Sequence, residues 1–267
     1  MLPLRLPLQN SRGFTLIEII AVIVVLSILA TLGGKFVVES TKSFQSTQTK
    51  SRLLNTSRQA LERMSRQLRI ALPYSVRLTN NNMCIEFMPI ASGGNYAGYV
   101  PDSTNGASAK TTLDVSPHVI DFGTAVYVSI GAMAASELYG ASPSSLATLT
   151  SRSVNTINFS PAKGWKQNSI NKRFYLLDRP QAFCVVNNQL RFYANQDATA
   201  QNVDLASVSS MLADNVAGTT TPFTLTPGSE NRNTVVQFNI TFGQGSALST
   251  GTESITMNHS VMIRNVP

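Results

Sequence analysis

Residues 12–32 read RGFTLIEIIAVIVVLSILATL, and this stretch decides the fold. A helix over residues 14–34 spans about 31 Å at the helical rise, which is enough to cross the hydrocarbon core of a membrane. Glu18 is the only formal charge in that span. A carboxylate in a membrane helix costs roughly 2.5 kcal/mol near the bilayer centre and less toward an interface. We therefore expect Glu18 to pair with a cation on another molecule.

Two ordinary export signals are the alternatives to a specialised one. A secretory signal peptide also has a basic start and an apolar stretch, but it keeps charge out of that stretch and ends at a small-x-small cleavage site. In a plain signal anchor, Arg5 and Arg12 would hold the start of the chain in the cytoplasm. All of these signals predict that the bulk of the chain leaves the cytoplasm.

The order of a short basic leader, Gly13 and then Phe-Thr-Leu-Ile-Glu before an apolar helix resembles the class III signal of type IV pilins and type II secretion pseudopilins. The resemblance implies that a membrane-embedded prepilin peptidase cuts between Gly13 and Phe14 and methylates the new amino group of Phe14. It also implies that Glu18 neutralises the amino terminus of a neighbouring subunit in a fibre. The implied partners are the prepilin peptidase, other minor and major pilins, the inner-membrane pilus assembly platform and membrane lipid.

The net charge of +7 is unevenly distributed along the 267 residues. Residues 1–77 hold 11 Lys and Arg against 3 Asp and Glu, whereas residues 78–267 hold 10 against 11. The excess positive charge therefore belongs to a basic helix and not to a basic globular domain. Because its cations are not interleaved with exposed aromatic side chains, we expect no nucleic-acid partner.

The helix is predicted to continue beyond the membrane over residues 35–72 as an amphipathic segment. Arginines fill much of one side, and Pro73 ends the helix. Apolar side chains recur on the opposite face at Leu54, Leu61, Met64, Leu68 and Ala71. This face is predicted to dock on a folded domain.

Residues 73–267 change to a period of two, which predicts a β-rich head. The Asn187-Asn188 pair suits a tight hairpin. Strand candidates lie at residues 74–79, 83–88, 119–130, 154–159, 173–178, 182–186, 189–193, 236–242 and 255–263. Long loops are expected at residues 91–112, 131–153 and 194–230. The predicted fold class is α+β: a long N-terminal helix, transmembrane and then amphipathic, packed on an antiparallel β-rich C-terminal head domain. The predicted segments are a leader at 1–13, a transmembrane helix at 14–34, its amphipathic continuation at 35–72 and the head at 73–267.

Cys84 and Cys184 are the only cysteines, and each lies in a short apolar segment. In an exported domain, two cysteines and no others favour one disulfide across adjacent elements. Two independent buried thiols are the alternative. A bridge closing so long a loop would stabilise the fold by roughly 4 kcal/mol on the chain-entropy argument.

Catalytic and metal-binding motifs are not evident in the sequence. His118 and His259 have no accompanying Glu-x-x-His or Cys-x-x-Cys spacing. The phase of His259 with neighbouring apolar residues predicts a histidine on the inner face of a strand. Residues 102–106 faintly resemble a calcium loop, but Leu113 stands where the twelfth-position carboxylate would fall, so a polar turn is expected. We therefore predict neither an enzyme nor a cofactor or metal site.

The head is larger than that of a plain major pilin. Residues 58–69 read RQALERMSRQLR and, followed by Ala71-Leu72-Pro73, resemble the J-type pseudopilin group. Together with RFYLLD at 173–178, Phe183-Cys184 and QLRF at 189–192, they are similar to minor pilins of the mannose-sensitive haemagglutinin (MSHA) pilus. This resemblance implies a minor pilin that helps initiate or cap assembly of a type IV pilus, with a periplasmic head before incorporation into the fibre. A J-type pseudopilin of type II secretion is the nearer alternative. A membrane-anchored periplasmic binding domain or enzyme is the more distant one.

Overall fold

The computed structural model describes residue 13 and residues 15–117, 125–229, 232–244 and 253–264. The chain divides into two compact units, Met1–Thr49 and Lys50–Pro267. Its secondary structure confirms the α+β class, with one long N-terminal helix followed by antiparallel sheets.

Helix α1 runs from Leu16 to Arg69 over 54 residues. No proline interrupts this range, and the Gly33-Gly34 pair lies inside it without ending it. Arg66 and Arg69 occupy the last turn, where cations interact favourably with the helix dipole. The helix therefore ends three residues before the predicted end at residue 72, and a short 3₁₀ turn, Pro73–Ser75, replaces the start of the first strand candidate.

Fourteen strands follow within the part of the chain that the structure describes. They are β1 Arg77–Thr79, β2 Cys84–Phe87, β3 Ile90–Asn95, β4 Lys110–Asp114, β5 Tyr127–Ile130, β6 Leu146–Arg152, β7 Thr156–Lys163, β8 Arg173–Leu177, β9 Gln181–Val186, β10 Gln189–Tyr193, β11 Ser209–Ala213, β12 Val216–Thr226, β13 Thr234–Gly243 and β14 Ser254–Ile263. They form three sheets, of order β1-β2-β9-β10-β11, β12-β13-β14 and β3-β8-β5-β6-β7-β4. Every ladder is antiparallel.

Asparagine turns join two of the hairpins. Asn187 and Asn188 have φ angles of 50° and 58° between β9 and β10, which agrees with the tight hairpin expected from the sequence. Asn80, Asn81 and Asn82 adopt positive φ angles between β1 and β2. Asparagine tolerates this left-handed region better than most residues, so both turns follow from local sequence.

The apolar face of α1 packs in the main core of the second unit. Leu61, Met64 and Leu68 are buried against side chains of the five-stranded and three-stranded sheets, including Phe183 and Phe238. The predicted apolar stripe is therefore the buried face, although Leu54 at its upper end is only half-buried. A second core lies on the six-stranded sheet around Trp165, Phe174 and Phe159.

The three predicted long loops contain strands that the sequence pattern did not reveal. Residues 91–112 hold most of β3 and the start of β4, residues 131–153 hold β6, and residues 194–230 hold β11 and β12. These strands are rich in Ser, Thr, Gly and Ala, whose side chains give no apolar alternation, and backbone pairing holds them in place. At Gly93 in β3, an added Cβ would lie 3.1 Å from the Phe174 carbonyl oxygen, so close strand approach explains the glycine.

Candidate functional site

The signal region lies just before α1. Gly13 is exposed and outside the helix, whereas Phe14 lies outside the described residues. The Thr15 carbonyl accepts hydrogen bonds from the backbone N–H groups of Glu18, at 3.1 Å, and Ile19, at 3.3 Å. The predicted cleavage point between residues 13 and 14 therefore precedes the first helical hydrogen bonds.

Glu18 lies in the first turn of α1 and is exposed. A carboxylate there interacts favourably with the unpaired N–H groups of a helix start. Among the described residues, the ion pairs are Lys50–Glu253, Arg66–Glu62 and Arg77–Glu86, and none includes Glu18. Within the part of the chain that the structure describes, Glu18 therefore has no ion-pair partner.

The first part of α1 has the properties of a membrane anchor. It is the one described helix long and apolar enough to cross a bilayer, and its apolar window is not buried within the protein. Both of its hydroxyl groups donate hydrogen bonds to the helix backbone. Ser27 Oγ donates to the Ile23 carbonyl at 2.7 Å, and Thr31 Oγ1 donates to the Ile28 carbonyl at 2.9 Å. Internal pairing of this kind is what a hydrocarbon environment requires of polar groups. The chain fits a single-pass, membrane-anchored protein.

The basic face of α1 within the second unit points away from the core. Its exposed cations include Arg52, Arg58, Arg66 and Arg69. Arg63 is half-buried, with its guanidinium carbon 5.2 Å from the Phe192 ring centroid. Lys50 Nζ lies 3.3 Å from Glu253 Oε2 at the start of β14. This arrangement is a solvated helix face with a few contacts to the sheets.

The two cysteines face each other on neighbouring strands. Cys84 of β2 and Cys184 of β9 are register partners, and a disulfide joins them in the structure. Both side chains are fully buried beside Tyr193 and Val203. The bond ties two central strands of the five-stranded sheet together across 100 residues of sequence.

A buried ion pair lies between β1 and β2, and sequence reasoning missed it. Arg77 Nη2 lies 2.7 Å and Nε 2.8 Å from Glu86 Oε2, and Nη2 also donates to the Ala200 carbonyl at 2.7 Å. The Arg77 guanidinium carbon is 3.6 Å from the Tyr139 ring centroid. The available signal was the placement of an arginine and a glutamate on either side of the Asn80–Asn82 turn, where they become register partners.

The environment of Glu86 disfavours its charged form. Its side chain is 1% exposed, and its second oxygen, Oε1, has no hydrogen-bond partner among the described residues. Burial raises the pKa of Glu86 to about 7, even though the charge and hydrogen bond of Arg77 act to lower it. Burial likewise raises the pKa of the Tyr139 hydroxyl well above its ordinary value. Glu86 is therefore a carboxyl group that titrates near neutral pH inside the protein.

The loop at residues 102–106 is a polar turn. Asp102 Oδ1 accepts hydrogen bonds from the Thr104 backbone N–H at 2.9 Å, the Thr104 hydroxyl at 2.7 Å and the Asn105 backbone N–H at 2.8 Å. Its other oxygen accepts from the Asn168 side-chain amide. These hydrogen bonds lower the pKa of Asp102. Because donors already surround the carboxylate, the loop has the chemistry of a turn and not of a cation site.

The described residues contain no group of three or more His, Cys, Asp or Glu side chains that could hold a metal ion. His118 lies outside the described residues. The expectation that His259 is a core histidine is wrong, because its side chain is exposed. Its ring stacks on Phe238 at 6.1 Å, on the same face of β14 as the buried Val261 and the half-buried Met257. The phase of the strand was correct, but phase alone does not reveal how much of each side chain the core covers.

Comparison with known proteins supplies one match. Residues 8–33 match the family model described as the prokaryotic N-terminal methylation motif. No curated protein and no solved structure matches the chain. The matched segment contains Gly13, Phe14 and Glu18 and nearly all of the apolar span at residues 14–34. This motif, followed by one membrane-spanning helix and a β-rich domain, supports a type IV pilin-like or pseudopilin-like protein.

Proposed function

We propose that the chain is a minor pilin of the kind represented by minor pilin O of the MSHA pilus. It takes part in initiating or capping assembly of a type IV pilus after prepilin peptidase cuts between Gly13 and Phe14. Before assembly it is a single-pass inner-membrane protein with a periplasmic head. The single observation that carries the proposal is the methylation motif at residues 8–33, with Glu18 exposed on the helix that follows.

The position of Gly13 supports the proposed processing step. This residue is exposed and precedes α1, which begins at Leu16. Cleavage there removes Arg5 and Arg12 together with the leader and leaves a new amino group on Phe14. Methylation of that amino group retains its positive charge.

The assembly step follows from the charge of Glu18. A lone carboxylate within the apolar segment is unfavourable, whereas a carboxylate that meets the amino group of a neighbouring subunit forms a pair in surroundings of low dielectric constant. Such a pair is favourable only when both charges are present and close together, so it selects correctly placed subunits. The partners in this step are other minor and major pilins and the inner-membrane assembly platform.

The same observations fit a J-type pseudopilin of type II secretion, which uses the same signal and differs by the system that assembles it. The genes beside the coding sequence distinguish the two. A membrane-anchored periplasmic binding domain or enzyme is a more distant alternative, and it predicts that Glu18 is dispensable.

The test replaces Glu18 with alanine in the full-length chain. We expect the variant to insert in the membrane, because the substitution removes a charge from the apolar segment, where it costs up to roughly 2.5 kcal/mol. Pilus number per cell, counted by electron microscopy, should fall as far as it does when the whole gene is deleted.

The matched control is Glu39→Ala, which removes a carboxylate from the same helix 21 residues after Glu18. This variant should assemble pili at the normal level. Normal piliation with Glu18→Ala, at equal protein abundance, would contradict the proposed assembly role.

A further inference from the structure

Strand β14 forms one border of the three-stranded sheet. It pairs with β13 through ten consecutive register partners, from Thr234↔Ile263 to Gly243↔Ser254, without any register shift. Among the described residues β13 is its only strand partner. A row of backbone N–H and C=O groups therefore points away from the sheet along the whole strand.

The other border strands carry features that discourage pairing with a further strand. Strand β1 has three residues, β3 contains two glycines, and β4 begins with Lys110 and ends with Asp114. Strand β11 has five residues, and its ladder has a register shift. Strand β12 contains Pro222 and shifts register between Gly218 and Phe223.

Strand β14 has none of these features. Its sequence, SITMNHSVMI, contains no charged residue, no proline and no glycine over ten residues. A long, regular and uncharged border strand is a template for strand addition. The contrast with the five other borders points to a selected docking edge, because the same chain protects its remaining edges.

The two faces of β14 define the chemistry of an incoming strand. Ile255 and Met257 are half-buried on the core face, whereas Thr256, Asn258 and Ser260 are exposed on the other. An added strand would therefore place apolar side chains beside the first pair and neutral polar side chains beside the second set.

Within residues 253–264, the formally charged side chains lie only at the two ends. Glu253 precedes the strand and already pairs with Lys50 at 3.3 Å, whereas Arg264 follows it and is exposed. A charge in the middle of the incoming strand would lose water without gaining a counter-charge. An antiparallel strand with an acidic residue at its amino end would place that residue beside Arg264.

We propose that β14 is the docking edge for an extended segment of a different polypeptide, which joins the three-stranded sheet as a fourth, antiparallel strand. The segment has about ten residues with alternating apolar and neutral polar side chains and an acidic residue at its amino end. A second copy of this chain fits less well: antiparallel pairing of β14 with itself would need Glu253 of one copy beside Arg264 of the other, but Glu253 already pairs with Lys50 of its own chain. This docking edge is separate from Glu18 and does not depend on the proposed pilin function.

The probe is a fluorescent synthetic peptide consisting of aspartate followed by the sequence of residues 234–243, TVVQFNITFG. This is the sequence of β13, which β14 already accepts in an antiparallel register, and the added aspartate falls opposite Arg264. Fluorescence anisotropy measures its binding to the full chain in detergent micelles. A second peptide has the same side chains but carries N-methyl groups on the backbone nitrogens that face β14.

Deuterium uptake measured by mass spectrometry locates the bound peptide. We expect the first peptide to bind and to slow exchange in β14 but not in β4. The N-methylated peptide should not bind, because it lacks the hydrogen-bond donors. No binding of the first peptide, or binding without protection of β14, would overturn the proposal.

Two variants with the same substitution separate an edge effect from a general surface effect. Asn258 of β14 and Asn239 of β13 are register partners, and both are exposed. Asn258→Lys should weaken peptide binding by about fivefold, as expected for loss of a favourable cross-strand pair, whereas Asn239→Lys should leave it within about twofold. Equal weakening by both variants would overturn the proposal. If the full chain associates with itself and Asn258→Lys abolishes that association, the partner is a second copy and not a different polypeptide, which would overturn the proposal.

Discussion

Replacing Glu86 with glutamine should change how the stability of the protein depends on pH. The pKa of Glu86 rises from 4.5 to about 7 on folding because the side chain is buried. A group whose pKa is higher in the folded state binds more protons there, so its stabilising contribution is fully present below pH 4.5 and is lost as the pH rises through 7. Glutamine keeps the shape of the side chain but does not titrate.

The magnitude follows from the two pKa values. Between pH 5 and pH 8, linkage gives a decrease of about 2 to 3 kcal/mol in the free energy of unfolding from Glu86 alone. Urea unfolding of the full chain in detergent micelles, followed by circular dichroism at both pH values, measures this change. The wild-type protein should lose about 2 to 3 kcal/mol more than Glu86→Gln over that interval.

Glu62→Gln is the matched control, because Glu62 is a glutamate with a 71% exposed side chain on the surface of α1. It should retain the pH dependence of the wild-type protein. If wild type and Glu86→Gln lost the same stability between pH 5 and pH 8, the assignment of a raised pKa to Glu86 would be refuted. A larger loss in Glu86→Gln would mean that Arg77 lowers the pKa more than burial raises it.

Two further predictions concern the sheet and the helix. Replacing Cys84 and Cys184 together with alanine should lower the free energy of unfolding by about 4 kcal/mol, because the disulfide between them is lost. Dithiothreitol should then have no additional effect on the urea midpoint of this variant. Two free thiols in the wild-type protein, found by non-reducing peptide mapping, would contradict this prediction. Met64→Ala should lower the free energy of unfolding by about 2 to 5 kcal/mol, because the Met64 side chain is fully buried in the core. Arg58→Ala, on the exposed face of α1, should change it by no more than about 0.5 kcal/mol. Equal effects of the two variants in thermal unfolding would contradict the assignment of the Met64 face as the buried one.

The sequence predicted best those structural features that a single local physical requirement determines. The apolar run with Glu18 determined the membrane helix, and the heptad spacing of Leu61 and Leu68 identified the face that the structure buries. The hairpin at Asn187-Asn188 followed from the tolerance of asparagine for positive φ angles. These features depend on residues near one another in the chain.

The features that were missed depend on contacts between distant residues. Strand β12 has the sequence VAGTTTPFTLT, which lacks apolar alternation over its first half and becomes a strand because β13 pairs with it. The exposure of His259 depends on which side chains pack over its position in β14, and the Arg77–Glu86 pair also involves Tyr139 and the Ala200 carbonyl from other parts of the fold. The local periodicity of the sequence does not predict such contacts between distant residues.

Mass spectrometry of the intact amino terminus tests the central claim most directly. The full-length chain should be purified from cells with active prepilin peptidase and, in parallel, from cells that lack it. We predict that the first sample begins at an N-methylated Phe14 and that the second retains residues 1–13. A mature protein that still begins at Met1 in the presence of active peptidase, or that is cut at a site other than Gly13–Phe14, would contradict the account.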